Sequence, residues 1–173
     1  MKSNKGFSLV ELMVVVAIIG VLAMIGIPSI NKYMAKARQS EAKTNLSSLY
    51  TANKAFFAEY NTYDNRFQII GFLPEGKLRY NVGWSASSGF NLASYGYTAA
   101  IPATTHFNSS TYCPASGTCQ SLADANPTIT GASITNTTFV AVASGRIGGA
   151  GGAFDTWTID HNKNLTNTID GTQ

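Results

Sequence analysis

Charge is scarce in this sequence: Asp, Glu, Lys and Arg together make up 12% of its 173 residues, against roughly 25% in an ordinary soluble domain. Two of the twelve basic residues, Lys2 and Lys5, stand in the first six positions, and from Phe7 onward ten basic side chains face nine acidic ones. So even a balance lacks the broad basic footprint of a phosphate-backbone binder and leaves only a local basic patch open to DNA. Histidine occurs twice, as His106 and His161, in neither a metal-spaced cluster nor a nucleophile elbow. Asp155, Asp160 and Asp170 are scattered along the chain, unlike the dense carboxylate run of a calcium loop. The glycines from Gly145 to Gly152 precede a strand-like segment and carry no Lys-Ser/Thr, so they read as a flexible interstrand loop rather than a phosphate cradle. No catalytic constellation stands out, and no cofactor or metal is expected.

Cysteine is nearly absent too. Cys113 and Cys119 are separated by five residues, which in an exported chain most simply closes a small disulfide loop; free thiols or a two-ligand metal site are the alternatives. Asn108-Ser109-Ser110 and Asn136-Thr137-Thr138 match the glycosylation sequon, but such triplets arise by chance in a chain this rich in Asn, Ser and Thr.

What the chain has in abundance is apolar surface, concentrated at its front. A short basic opening gives way to apolar residues at Phe7, and Leu12 to Ile30 are nineteen residues without a charge, close to the roughly 20 that cross a bilayer as a helix. Lys2 and Lys5 orient the start toward the cytoplasm. A secretory signal would have an apolar core of roughly 7–15 residues and then a small-residue cleavage site. Here Val14-Val15-Val16 lead on into a helix instead. Glu11 interrupts this segment. A charged side chain at the centre of a bilayer helix costs roughly 2.5–3.5 kcal/mol, so an acid there is a functional group awaiting a partner or an interfacial residue that stays wet. Gly20, Gly26 and Pro28 weaken the helix and mark a kink or local melting, or else a merely curved membrane helix.

Gly6-Phe7-Ser8-Leu9-Val10-Glu11, followed by an apolar helix with Gly20, Gly26 and Pro28, resembles the class III signal of type IV pilins and of their relatives, the pseudopilins of type II secretion. The resemblance implies that a prepilin peptidase cuts between Gly6 and Phe7 and N-methylates the new Phe7 amine. It implies that Glu11 neutralises that amine, usually on a neighbouring subunit, during assembly. It also implies that the stretch from Gly20 to Pro28 unwinds in the filament.

Past Pro28 the helical pattern continues as an amphipathic segment. Tyr33, Ala37, Ala42, Leu46, Leu49, Tyr50, Asn53, Phe56, Phe57 and Tyr60 fall mainly at three- and four-residue steps, one face for a partner sheet. Asn61 to Asn65 read as a stop. Strands are expected at 79–84, 90–101, 139–143 and 154–159, with a hairpin through Asp160-His161-Asn162-Lys163-Asn164 into 165–169. The ending from Asp155 to Gly171 also looks like the last strands of type IVa major pilins. Many of those carry a disulfide in the C-terminal segment; here both cysteines lie upstream, so the loop between them takes the place of the variable exposed loop.

The expectation is an α+β chain of type IV pilin fold, a long N-terminal α-helix packed on an antiparallel β-sheet head. Its parts are a leader peptide (1–6), a transmembrane and filament-core half-helix (7–30), an amphipathic half-helix (31–62) and a β-rich globular head (63–173). The resemblance implies a structural subunit, not an enzyme: a major pilin that forms a helical homopolymer with copies of itself. Its partners would be the prepilin peptidase and an inner-membrane assembly platform. It would wait in the bacterial inner membrane and end in an extracellular pilus that serves adhesion, twitching motility and DNA uptake. The rival expectations are a minor pilin or type II secretion pseudopilin, and a competence pilin or tip adhesin whose head binds DNA or a surface ligand.

Overall fold

The computed structural model describes residues 6–86, 88, 90–102, 104–122, 125, 128–148 and 151–172. Most of the expected leader, residues 1–5, and Gly149 and Ala150 of the glycine loop lie outside the described residues.

One helix, α1 (Leu9–Tyr60), carries 52 residues, about 78 Å at 1.5 Å per residue. It is assigned without a break through Gly20, Gly26 and Pro28. It ends where the turn residues predict: Asn61 adopts the left-handed conformation at φ 53° and its N–H donates to Phe57 O at 2.8 Å, which an Asn side chain tolerates. The face toward the head starts later than the sequence pattern suggests. Tyr33 and Ala37 are exposed, whereas Gln39, Ala42, Leu46, Leu49, Asn53 and Phe56 are buried. Packing therefore begins one to two turns inside the amphipathic half, and everything before it projects.

The head is built on an antiparallel sheet in the order β2 (Tyr80–Gly83), β5 (Phe139–Arg146), β6 (Phe154–Asp160), β7 (Leu165–Ile169), with β4 (Ser133–Ile134) also paired to β5. The β6–β7 hairpin forms at the expected turn, and its register pairs Ile159 with Leu165 and Thr158 with Thr166. Asp160 organises that turn by accepting from the amides of Asn162 and Asn164, each at 2.9 Å. The β2, β5 and β6 strands face α1, and Leu46, Leu49, Tyr63, Tyr80, Val82, Trp84, Phe139 and Ile159 close the core between them. Tyr63 stacks on Phe57 at 4.4 Å and meets the edge of Phe139 at 4.9 Å, so the helix end is welded to the middle of the sheet.

Residues 90–101 do not form the expected strand. Leu92–Tyr95 make one 3-10 turn, capped by the Asn91 side chain on the Ala93 amide and stopped by Gly96. Local capping by Asn and Gly overrides an alternation that looked strand-like. Four further elements are a short α2 (Phe67–Ile70), α3 (Ser109–Ser116), and a parallel pair of β1 (Gly76–Leu78) with β3 (Cys119–Ser121). The parallel pair lies beside α3, whose Cys113 is bonded to Cys119 of β3. The first sequon is spent on architecture, since buried Asn108 is the N-cap of α3 and its amide donates to Trp84 O.

Candidate functional site

The first turn of α1 is closed by a reciprocal pair of side chains. Ser8, in extended conformation, accepts the Glu11 amide on Oγ at 3.2 Å, and Glu11 Oε2 accepts the Ser8 amide at 2.9 Å. This is a capping box, in which two otherwise orphaned amide donors are satisfied at once. In sequence Glu11 reads as an acid awaiting a partner or as an interfacial residue that stays wet, and neither reading includes a cap. The Ser-x-x-Glu spacing was the missed signal. Glu11 remains exposed in the single chain, as does Phe7 two residues before the helix.

From Phe7 to Ile30, sixteen large apolar side chains are exposed, and none of the most apolar eighteen-residue window is buried against the head. Around Gly20 and Gly26 the space is open, and beyond the helix's own nearby backbone nothing lies within 4 Å of an added Cβ. This half of the helix has the length and composition to cross a membrane, and it is a surface with no partner among the described residues.

Where the helix enters the head, polar contacts fix its direction. Arg38 donates to Ile147 O, and Glu41 accepts the Arg79 amide at 2.7 Å. Gln39 Nε2 bridges two acids, Asp155 at 3.0 Å and Asp170 at 3.2 Å. The carboxyl of Asp155 is wholly buried and gathers five donors. Besides Gln39 these are Tyr80 OH and Trp157 Nε1 at 2.7 Å each, Asn167 Nδ2 at 3.2 Å and the Gly171 amide at 3.1 Å. Burial, and secondly the bond to Asp155, push the Tyr80 hydroxyl far above the usual tyrosine range. Asp155 and Asp170 read as scattered in sequence, yet the fold brings both to one helical glutamine. Only a polar residue within the apolar alternation of β6 hinted at this hub.

The structure joins Cys113 to Cys119. The pair closes a loop from the end of α3 into β3, with Cys113 buried and Cys119 partly so. His106 lies edge-on to the Tyr112 ring at 5.8 Å, and His161 sits in the β6–β7 turn. Among the described residues, no three His, Cys, Asp or Glu side chains form a group that could hold a metal ion.

Comparison with known proteins matches residues 1–27 to the prokaryotic N-terminal methylation motif and residues 33–91 to the family described as type IV pilin PilA. Over 86 residues the chain is 55% identical to the type IV major pilin protein PilA of Myxococcus xanthus, covering 50% of this chain and 39% of that protein. It is 49% identical over 79 residues to the type IV major fimbrial protein FimA of Dichelobacter nodosus, covering 45% and 48%. A fimbrial protein of Pseudomonas aeruginosa is 36% identical over 88 residues, covering 51% and 53%. The matched stretch thus spans about half the length of these relatives, or less. The motif at the start, the match that follows it, and a helix of this length on an antiparallel sheet agree with one another: over these stretches the chain is similar to the type IV pilins.

Proposed function

We propose that this chain is the structural subunit, the major pilin, of a type IV pilus, and that it assembles helically with copies of itself through α1. The observation that carries this reading is the apolar half-helix, none of whose most apolar eighteen-residue window is buried, while the head folds around its own core. A fully buried large apolar side chain is worth roughly 1.5–3 kcal/mol. Even discounting by half for area already covered, sixteen of them leave roughly 12–24 kcal/mol to gain from lipid or from neighbouring helices. The bilayer of the inner membrane serves first, and the core of the extracellular filament serves afterwards.

In this reading a prepilin peptidase removes residues 1–6 and methylates Phe7, and an inner-membrane platform lifts the subunit out. Glu11 then meets the amine of Phe7. Leaving one member of a buried ion pair unmatched costs roughly 3–5 kcal/mol, enough to hold an incoming subunit in register. Gly20, Gly26 and Pro28 supply the stretch where the helix unwinds in the filament. Adhesion, twitching motility and DNA uptake are downstream uses of such a filament.

The capping box makes Glu11→Gln the informative variant. Glutamine can still accept the Ser8 amide and keep the cap, but it cannot neutralise an amine. Membrane insertion and leader removal are expected to persist while filaments disappear. Wild-type numbers of normal filaments from the Glu11→Gln strain would refute the ion-pair role.

A further inference from the structure

Where α1 leaves the head, it borders a cleft of about 570 Å³, with Lys32, Tyr33 and Lys36 on the helix side and Ile147, Gly171 and Thr172 on the head side. Lys32 and Lys36 are one turn apart on the same helix face and exposed. Neither has a hydrogen-bond or ion-pair partner among the described residues. The next cation, Arg38, is engaged with Ile147 O. The acid beside the cleft, Asp170, is engaged by Gln39 and by the amide and hydroxyl of Thr172. Tyr33 is 70% exposed.

The position of this cleft along the helix gives it meaning. Leu12 to Ile30 span about 28 Å, close to the ~30 Å hydrocarbon layer, so Lys32 and Lys36 stand roughly 3–9 Å beyond its edge. That is the depth of the lipid headgroups. Tyrosine is favoured at this level, whereas Lys and Arg are ordinarily scarce on the translocated side. Two lysines there, lining a cleft in which they meet no anion among the described residues, are free to take an anion from elsewhere.

We propose that the cleft seats the phosphate of an anionic phospholipid of the extracytoplasmic leaflet. Lys32 and Lys36 clamp the phosphate, and Tyr33 lies along the boundary between headgroup and acyl chain. The bound lipid holds the base of the head against the bilayer while the subunit awaits assembly. The proposal rests on the reading of residues 7–30 as a bilayer anchor.

The test uses the full chain in detergent micelles doped with equal amounts of phosphatidylglycerol and phosphatidylcholine, with retained lipids counted by native mass spectrometry. A lysine near an anionic headgroup surface contributes enough that losing two lowers the preference about 30-fold. The preference for phosphatidylglycerol is therefore expected to fall by that factor in K32Q/K36Q. It is expected to persist in K77Q/K163Q, which removes the same charge elsewhere. An equal preference in wild type and K32Q/K36Q overturns the proposal, and so does an equal loss in K77Q/K163Q. Displacement of the lipid by inorganic phosphate alone also overturns it, in favour of a free-anion site. A carbonate wash of vesicles carrying each chain separates the two readings. Loss of every chain contradicts the anchor, and with it the seat. Retention of all chains without a lipid preference contradicts the seat alone.

Discussion

Replacing Asp155 by alanine tests whether the head is tied to the helix as the geometry implies. The five donors that converge on its buried carboxyl come from α1, β2, β6, β7 and the C-terminal turn. Gln39 keeps a second acceptor in Asp170, and Asn167 is only half-buried. Two or three donors, Tyr80 OH foremost, are left without a partner in the interior. Each buried orphan costs roughly 1–3 kcal/mol, which gives about 3–5 kcal/mol for the substitution. In a chain of this size each kcal/mol moves Tm by ~2–4 °C, so a fall of about 10 °C is expected. Asp155→Asn keeps the volume but turns an amide toward converging donors, and about half that loss is expected. The assay is thermal unfolding of the full chain in detergent, followed by fluorescence of Trp84 and Trp157, both in the head. A Tm for Asp155→Ala within ~2 °C of wild type would refute the view that this hub holds the C-terminal strands to the helix.

Three further outcomes follow from local geometry. Gly83 sits at φ 131°, and an added Cβ would meet Phe107 O at 2.3 Å and Asn108 Cα at 2.8 Å; Gly83→Ala is expected to cost at least ~3 kcal/mol, read as a lower urea midpoint. Reducing the Cys113–Cys119 bond, or replacing both residues by serine, releases a very short loop, and a loss of about 2 kcal/mol is expected in the same assay. Although burial pushes the Asp160 carboxyl up, hydrogen bonds from Asn164 and Asn162 outweigh it and hold it below the usual range. A carboxyl with a lowered folded pKa adds stability above its unfolded value of ~3.9 and loses it as pH falls through the folded one. Urea midpoints of wild type are therefore expected to drop below about pH 4, and Asp160→Asn is expected to flatten that drop.

The parts of the fold legible in sequence are those with a strong period or an explicit stop. The apolar run to Ile30, the spacing of Leu46, Leu49 and Phe56, and the turn residues after Tyr60 place α1 within two residues at each end. Alternation in 154–159 and the Asp160 to Asn164 turn place the last hairpin. Residues 90–101 misled because Phe90 and Leu92, and then Tyr95, Tyr97 and Ala99, stand two apart and mimic a strand, whereas Asn91 and Gly96 decide the local path. The β1–β3 pair was invisible because three residues per strand carry no period. At the N-terminus the acid was legible and its serine partner was not, because Glu11 was weighed as a charge rather than as the third residue of a capped helix. The Asp155 hub was out of reach for a different reason, since its donors are gathered from five places in the chain by tertiary packing alone.

The central claim, that this chain is the bulk subunit of a filament whose core is α1, is tested most directly on filaments sheared from the cell surface. Electron microscopy of that material should show thin helical filaments, and mass spectrometry should find this polypeptide as the dominant species, beginning at N-methylated Phe7. Sheared filaments in which this chain is absent, or is a trace species beside another pilin, would contradict it.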